Sequence, residues 1–267
     1  MKIFIATPMY GGIAKNQYTI SLQNLLVKLS QRGHSVQTTT IGNESLITRA
    51  RNTLAHKFMK SDMDALLFID ADHGWNADDV VRMIESEKDL IGAIYPMKGL
   101  NWENIRMAAL LGKENLEEYS GYFAINLLDE SQVFNDQEPF KVKDIGTGMM
   151  FITRKVFEDL EPTCKKYTNN NVGNTGIEFG EKITEYFTTV IDEKGILLSE
   201  DYAFCRMWQA IGGEVWSAPW VHITHSGDYN FAGQFPKMIE LSKIRELQAE
   251  AAKNQELAEK QKTDESE

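Results

Sequence analysis

Cysteine is scarce. Cys164 and Cys205 are the only two in 267 residues, too few for a disulfide framework, and no C-x-x-C pair suggests structural zinc. A reducing, cytoplasmic setting is the expectation. Long apolar runs are missing too: Lys2 leads straight into the strand-like Ile3-Phe4-Ile5-Ala6, without the apolar core of a signal peptide, and no stretch reaches the length that spans a bilayer. A soluble chain without a membrane anchor is expected. Positive charge is in deficit, with 28 Lys and Arg against 39 Asp and Glu. The net −11 would repel a phosphate backbone unless basic residues cluster, which disfavours generic nucleic-acid or anionic-membrane binding. A local phosphate pocket is not excluded. What is present, 42% hydrophobic and 25% charged residues, fits one large α/β domain.

The chain is organised around the stretch from Asp64 to His73. Ala65 to Ile69 is an apolar run of strand length that ends in Asp70-Ala71-Asp72, as a buried strand of a parallel sheet should. The carboxylates then sit at a strand's carboxyl edge, where open α/β sheets bind ligands. Two hard oxygen ligands there suit Mg²⁺ or Mn²⁺ shared with a substrate's phosphates. The competing reading is a helix cap, although Asn76, with Asp78 and Asp79 behind it, already reads as that helix start.

Upstream, a strand from Lys2 to Thr7 stops at Pro8 and a glycine-containing loop with Tyr10. A helix from about Gln17 to Gln31 and a strand from Ser35 to Ile41 follow, a βα unit that argues for a parallel sheet. The next helix, running to about Met59, takes Ser45 as its N-cap; Arg49 and Asn52 share a face, and with Arg51 they serve either a ligand or solvated salt bridges. His56 reads as structural.

Downstream, a helix from Ala77 to Glu85 and a buried strand from Asp89 to Tyr95 lead to Lys98, at the same edge as the aspartates, to reach a phosphate or to be solvated. Residues 99–137 weaken into extended, mainly antiparallel pieces at Tyr119 to Leu128. Gly146 and Gly148 precede another apolar strand and either let the backbone approach a ligand or form a bulge. Thr163 to Lys182 is rich in Asn, Gly and Thr and reads as a mobile loop or lid. Ser199 caps a helix that opens with Glu200 and Asp201 and packs Phe204, Trp208 and Ile211 inward. His222 and His225 would face opposite sides of a strand, so only one can ligate a metal. From Pro236, Leu241, Ile244, Leu247, Ala251 and Leu257 mark an amphipathic helix, docked on the domain or in a weak homo-oligomer contact, that frays from Lys260 to Glu267.

Asp70-Ala71-Asp72, Gly146-x-Gly148, Glu200-Asp201 and His225-Ser226-Gly227, in this order, resemble the motifs of GT-A glycosyltransferases. The resemblance covers roughly residues 1–232, with 233–267 as a helical tail. It implies a Rossmann-like α/β fold with a mixed, mainly parallel sheet flanked by helices. It also implies transfer of a sugar from a nucleoside-diphosphate sugar, a UDP-sugar foremost, to an acceptor hydroxyl, with Mn²⁺ (or Mg²⁺) as cofactor. By the same resemblance Asp70, Asp72 and His225 hold the metal, and Asp201, with Glu200 second, is the catalytic carboxylate. Thr7, Pro8 and Tyr10 lie beside the nucleotide base, and Arg49, Arg51, Asn52, Ala71, Lys98, Gly146 and Gly148 line the donor. The acidic charge favours a soluble small-molecule or glycan acceptor over modified DNA. Two rivals stand beside this reading: a nucleotidyltransferase acting on sugar phosphates, faintly echoed by Met9 to Lys15, and an inactive GT-A scaffold that binds sugar or protein.

Overall fold

Apolar alternation in the first seventy residues sets the architecture. In the computed structural model, which describes residues 1–129, 135–170 and 175–264, the first half of the chain runs β1 (Lys2–Met9), α1 (Asn16–Gln31), β2 (Ser35–Gly42), α2 (Ile47–Met59), β3 (Ala65–Ile69), β4 (His73–Trp75), α3 (Ala77–Ile84), β5 (Leu90–Ala93), α4 (Trp102–Leu110) and β6 (Ile125–Leu127). Then come β7 (Phe140–Ile145), β8 (Met149–Thr153), α5 (Arg154–Leu160), β9 (Lys166–Thr168), β10 (Lys182–Thr184), β11 (Val190–Ile191), β12 (Leu197–Leu198), α6 (Glu200–Ala210), β13 (Trp216–Ala218), β14 (Ile223–Ser226), β15 (Asn230–Phe231) and α7 (Phe235–Asp264).

The register of β1 on β3 puts Ile3, Ile5, Leu67 and Ile69 on one face and Phe4, Ala6, Leu66 and Phe68 on the other. α1 and α3 cover the first face through Tyr18, Leu25, Leu29, Val80 and Ile84. α2, α5 and α6 cover the second through Leu54, Phe58, Phe157, Leu160, Phe204 and Trp208. With both faces buried, β3 carries no polar alternation. Each large apolar side chain so buried contributes about 1.5–3 kcal/mol.

The eight-stranded sheet has the order β2-β1-β3-β8-β5-β13-β7-β6. β8 runs against both β3 and β5, and β7 against β13 and β6, while the other six strands share one direction. The result is a mixed, mainly parallel α/β sheet flanked by helices, as the motif resemblance implies. Reversal of β8 has a consequence for the site. Gly146-Thr147-Gly148 enters the sheet at the edge where β3 and β5 end, so that loop meets the aspartates.

Several local expectations are corrected. Residues 99–137 contain a helix, α4, whose start is capped by Asn101 accepting from the Asn104 N–H at 3.0 Å; only Ile125–Leu127 of the expected extended region is strand. α2 starts at Ile47 without a Ser45 cap, because the Glu44 carboxylate accepts the Leu46 N–H instead. In 163–182, β9 pairs with β10, which begins at the end of that range, to form a hairpin, and the Asn169 amide donates to the carbonyls of Ile177 and Glu178; residues 171–174 of that expected lid lie outside the described residues, as do 130–134 and 265–267. Ile211 is exposed just past the end of α6. α7 docks on the domain through Phe235 and Leu241, and its Arg245 reaches the Asn104 side chain at 3.0 Å. Among the described residues, no helix is long and apolar enough to cross a membrane.

Candidate active site

The Asp-x-Asp stretch builds a site because the chain turns immediately after β3. The Asp70 N–H donates to the Gly148 carbonyl at 2.9 Å, and the His73 N–H returns to the Asp70 carbonyl at 3.2 Å before β4 begins. β4 pairs antiparallel with β14 in a register that sets His73 opposite His225. Directly opposed residues in such a pair project from one face. The two imidazoles accordingly meet edge to face, with ring centroids 4.6 Å apart. Asp72 is tied to the same ladder by the Ser226 N–H, which donates to its carbonyl at 2.8 Å. Asp72, His73 and His225 each offer one ligand atom, and the three atoms lie within 4.8 Å of one another.

Protonation follows from the partners. His225 Nδ1 sits 2.8 Å from the Pro96 carbonyl, which can only accept, so Nδ1 carries the proton and a neutral ring leaves Nε2 as an acceptor. That Nε2 is 3.4 Å from Asp72 Oδ2. His73 is fully buried with neither ring nitrogen hydrogen-bonded among the described residues, and burial pushes its pKa down to about 4 against the smaller pull of Asp70. It is a neutral imidazole with unspent ligand capacity. Burial works against ionisation of Asp72, but the neighbouring His225 ring and the Lys98 ammonium outweigh it and hold the carboxyl well below its usual range.

Beside this trio, Arg51 is buried between two carboxylates, with Nη2 3.1 Å from Asp70 Oδ1 and Nε 3.3 Å from Glu200 Oε1. The guanidinium also lies over the Phe68 ring. A buried cation of this kind is tolerated only because both acids face it. Glu200 responds in the opposite sense: desolvation raises its pKa, although Arg51 partly offsets it and Asp201 adds to it. Asp201 follows on the same helical turn, its carboxylate paired with the Ser199 hydroxyl and accepting from the Tyr202 N–H at 2.9 Å.

Gly146 and Gly148 serve rings rather than open space. A side-chain carbon at Gly146 would stand 2.0 Å from the Tyr95 hydroxyl, and one at Gly148 would stand 2.5 Å from His73 Cε1 and 2.8 Å from Tyr95. Tyr95 in turn packs on His73 with centroids 4.8 Å apart. Burial and the nearby Asp70 and Asp201 raise its phenol pKa, so it stays protonated. Nine buried side-chain polar atoms lack a partner among the described residues, and five belong here: Arg51 Nη1, both His73 nitrogens, Thr147 Oγ1 and Ser226 Oγ. Such groups cluster where something else completes them.

The remaining expected residues divide. Lys98 belongs to the site, with Nζ 2.6 Å from Asp72 Oδ2. Arg49 makes a two-pronged pair with Glu44 at 2.6 and 2.7 Å. Asn52 is buried, and its amide exchanges two 2.8 Å hydrogen bonds with the Phe187 backbone. Thr7 is buried against the Tyr18 hydroxyl at 2.7 Å, Pro8 is half-buried and Tyr10 is exposed. His222 is exposed ahead of β14, so the histidine facing Asp72 is His225. Sequence reasoning missed His73 and Tyr95. The first adjoins the Asp-x-Asp, but only the β4–β14 register turns it toward His225; the second ends an apolar strand and reads as core.

No protein-family model and no curated protein matches the chain. Similar solved structures include A197 from STIV, at 15% identity over 88% of this chain and 95% of that one, with a TM-score of 0.48. Others are GalNAc-T7 with UDP, GalNAc and Mn²⁺ (10% identity, 88% of this chain and 45% of that one, TM-score 0.38) and S. aureus TarS 1-349 with UDP-GlcNAc (13%, 81% and 56%, TM-score 0.37). The chain thus spans about half the length of these last two.

Proposed function

We propose that this chain is a metal-dependent glycosyltransferase of the GT-A type, moving a sugar from a nucleoside-diphosphate sugar to an acceptor hydroxyl. The observation that carries the reading is the convergence of one carboxylate and two imidazoles, Asp72, His73 and His225, at the carboxyl edge of the sheet beside the Arg51-linked acids. The donor set fits a metal, because both buried nitrogens of His73 lack a hydrogen-bond partner among the described residues. Two imidazoles with a carboxylate suit Mn²⁺ or a similar transition ion better than Ca²⁺. His73 takes the place that the motif resemblance gives to Asp70, which Arg51 engages instead. When bound, the ion supplies a Lewis acid that offsets the charge of the leaving diphosphate.

The chain's own residues do the rest. Asp201 takes the acceptor proton or orients the hydroxyl, and Glu200, held by Arg51, fixes the first turn of α6 beside it. Arg51 holds the Asp70 carboxylate in position at the end of β3 through its 3.1 Å hydrogen bond. The acceptor is a small molecule or glycan, in keeping with the acidic chain. Incubation with UDP-, GDP- and CMP-sugars and Mn²⁺ is the test. One donor should be slowly hydrolysed or should raise the melting temperature; the reading fails if none does either.

A further inference from the structure

The site contains a cation of its own. Lys98 Nζ lies 2.6 Å from Asp72 Oδ2, the same oxygen that His225 Nε2 approaches to 3.4 Å. The lysine reaches that oxygen from the end of the segment after β5: Pro96 is bridged to Phe123, the Met97 N–H donates to the Tyr122 carbonyl at 2.7 Å, and the side-chain stem runs beside Gly227. The backbone just before the lysine is therefore pinned, whereas its side chain is 44% exposed. No second carboxylate within salt-bridge distance competes for it among the described residues.

We infer that Lys98 is an exchangeable placeholder: it neutralises Asp72 in the unloaded protein, yields that oxygen when a divalent ion binds, and then turns to the donor's diphosphate. This rests on the metal-site reading above. An ion bound to Asp72 Oδ2 would sit about 2.1 Å from it. An ammonium on the same oxygen would then lie within roughly 5 Å of a double positive charge, and the two repel. Displacement leaves a flexible point charge at the sheet edge, where a diphosphate anion is its natural partner. The same lysine is thus expected to oppose one ligand and to favour the next, a pair of opposite effects that a fixed structural salt bridge would not produce.

Lys98→Met keeps the length of the stem and removes the charge; Lys98→Arg keeps the charge. Mn²⁺ binding to the full chain without nucleotide is read from the electron paramagnetic resonance signal of free Mn²⁺, and pyrophosphate binding at saturating Mn²⁺ by calorimetry. Melting temperatures check that each variant is folded. The expected result is about tenfold tighter Mn²⁺ binding in Lys98→Met, about tenfold weaker pyrophosphate binding in the same variant, and values near wild type in Lys98→Arg. Unchanged or weaker Mn²⁺ binding in Lys98→Met, with wild-type binding abolished by Asp72→Ala, overturns the placeholder and leaves the metal site standing. Tighter Mn²⁺ with unchanged pyrophosphate overturns the transfer to the diphosphate. Mn²⁺ binding that is absent in both wild type and Lys98→Met, or indifferent to Asp72→Ala, removes the metal site and the placeholder together.

Discussion

At the scale of single residues, His73 stores an acid sensitivity in the fold. Its pKa falls from an ordinary 6.5 to about 4 because burial disfavours the imidazolium. Between those pH values the unfolded chain holds more protons than the folded one, so stability is full above pH 6.5 and is lost as pH falls toward 4. The loss attributable to this ring reaches about 3 kcal/mol. Urea unfolding of wild type and His73→Phe at pH 7 and pH 5 should show a smaller drop in the variant; equal drops would contradict the assignment. Asp201 carries a different expectation. Asp201→Asn should keep donor binding and lower turnover by about a hundredfold or more. Full turnover in that variant would shift the role to Glu200 or to a mechanism without a protein base.

At the scale of elements, the reversed strand β8 and its glycine loop hold the rings in place. Gly148→Ala would drive a methyl to within 2.5 Å of His73 Cε1. Relief requires moving both His73 and Tyr95, at a cost of about 1–3 kcal/mol. Chemical denaturation should report that loss, together with weaker Mn²⁺ binding; an unperturbed variant would mean that the rings have room to spare. The elements were largely legible in advance where both sheet faces bury a strand, as in β1 and β3, because continuous apolar runs leave little choice. Asn76 as the cap of α3 was equally readable, since its side chain accepts the Asp78 N–H at 2.8 Å. α4 was not, because its apolar content packs a small cluster with Tyr119 and Leu241 rather than the main core. The β9–β10 hairpin was hidden by a polar composition that its backbone pairing does not need. Within the site, Asp72 and Lys98 were readable from strand ends. His73 was not, since its role depends on a cross-strand register with a segment about 150 residues away.

For the whole molecule, charge limits the partners. With net −11, duplex DNA should bind weakly, and only at low salt, in a gel-shift assay; micromolar binding that weakens with added salt would make a modified base the leading acceptor. The most direct test of the central claim is calorimetric titration of the nucleotide sugar identified by donor screening into wild type and Asp72→Ala, with Mn²⁺ and with chelator. The account predicts binding by wild type with Mn²⁺ only, and none by the variant although it remains folded, because a half-buried carboxylate at a strand end adds little to the core. Donor affinity that survives both chelator and the Asp72→Ala substitution would contradict it.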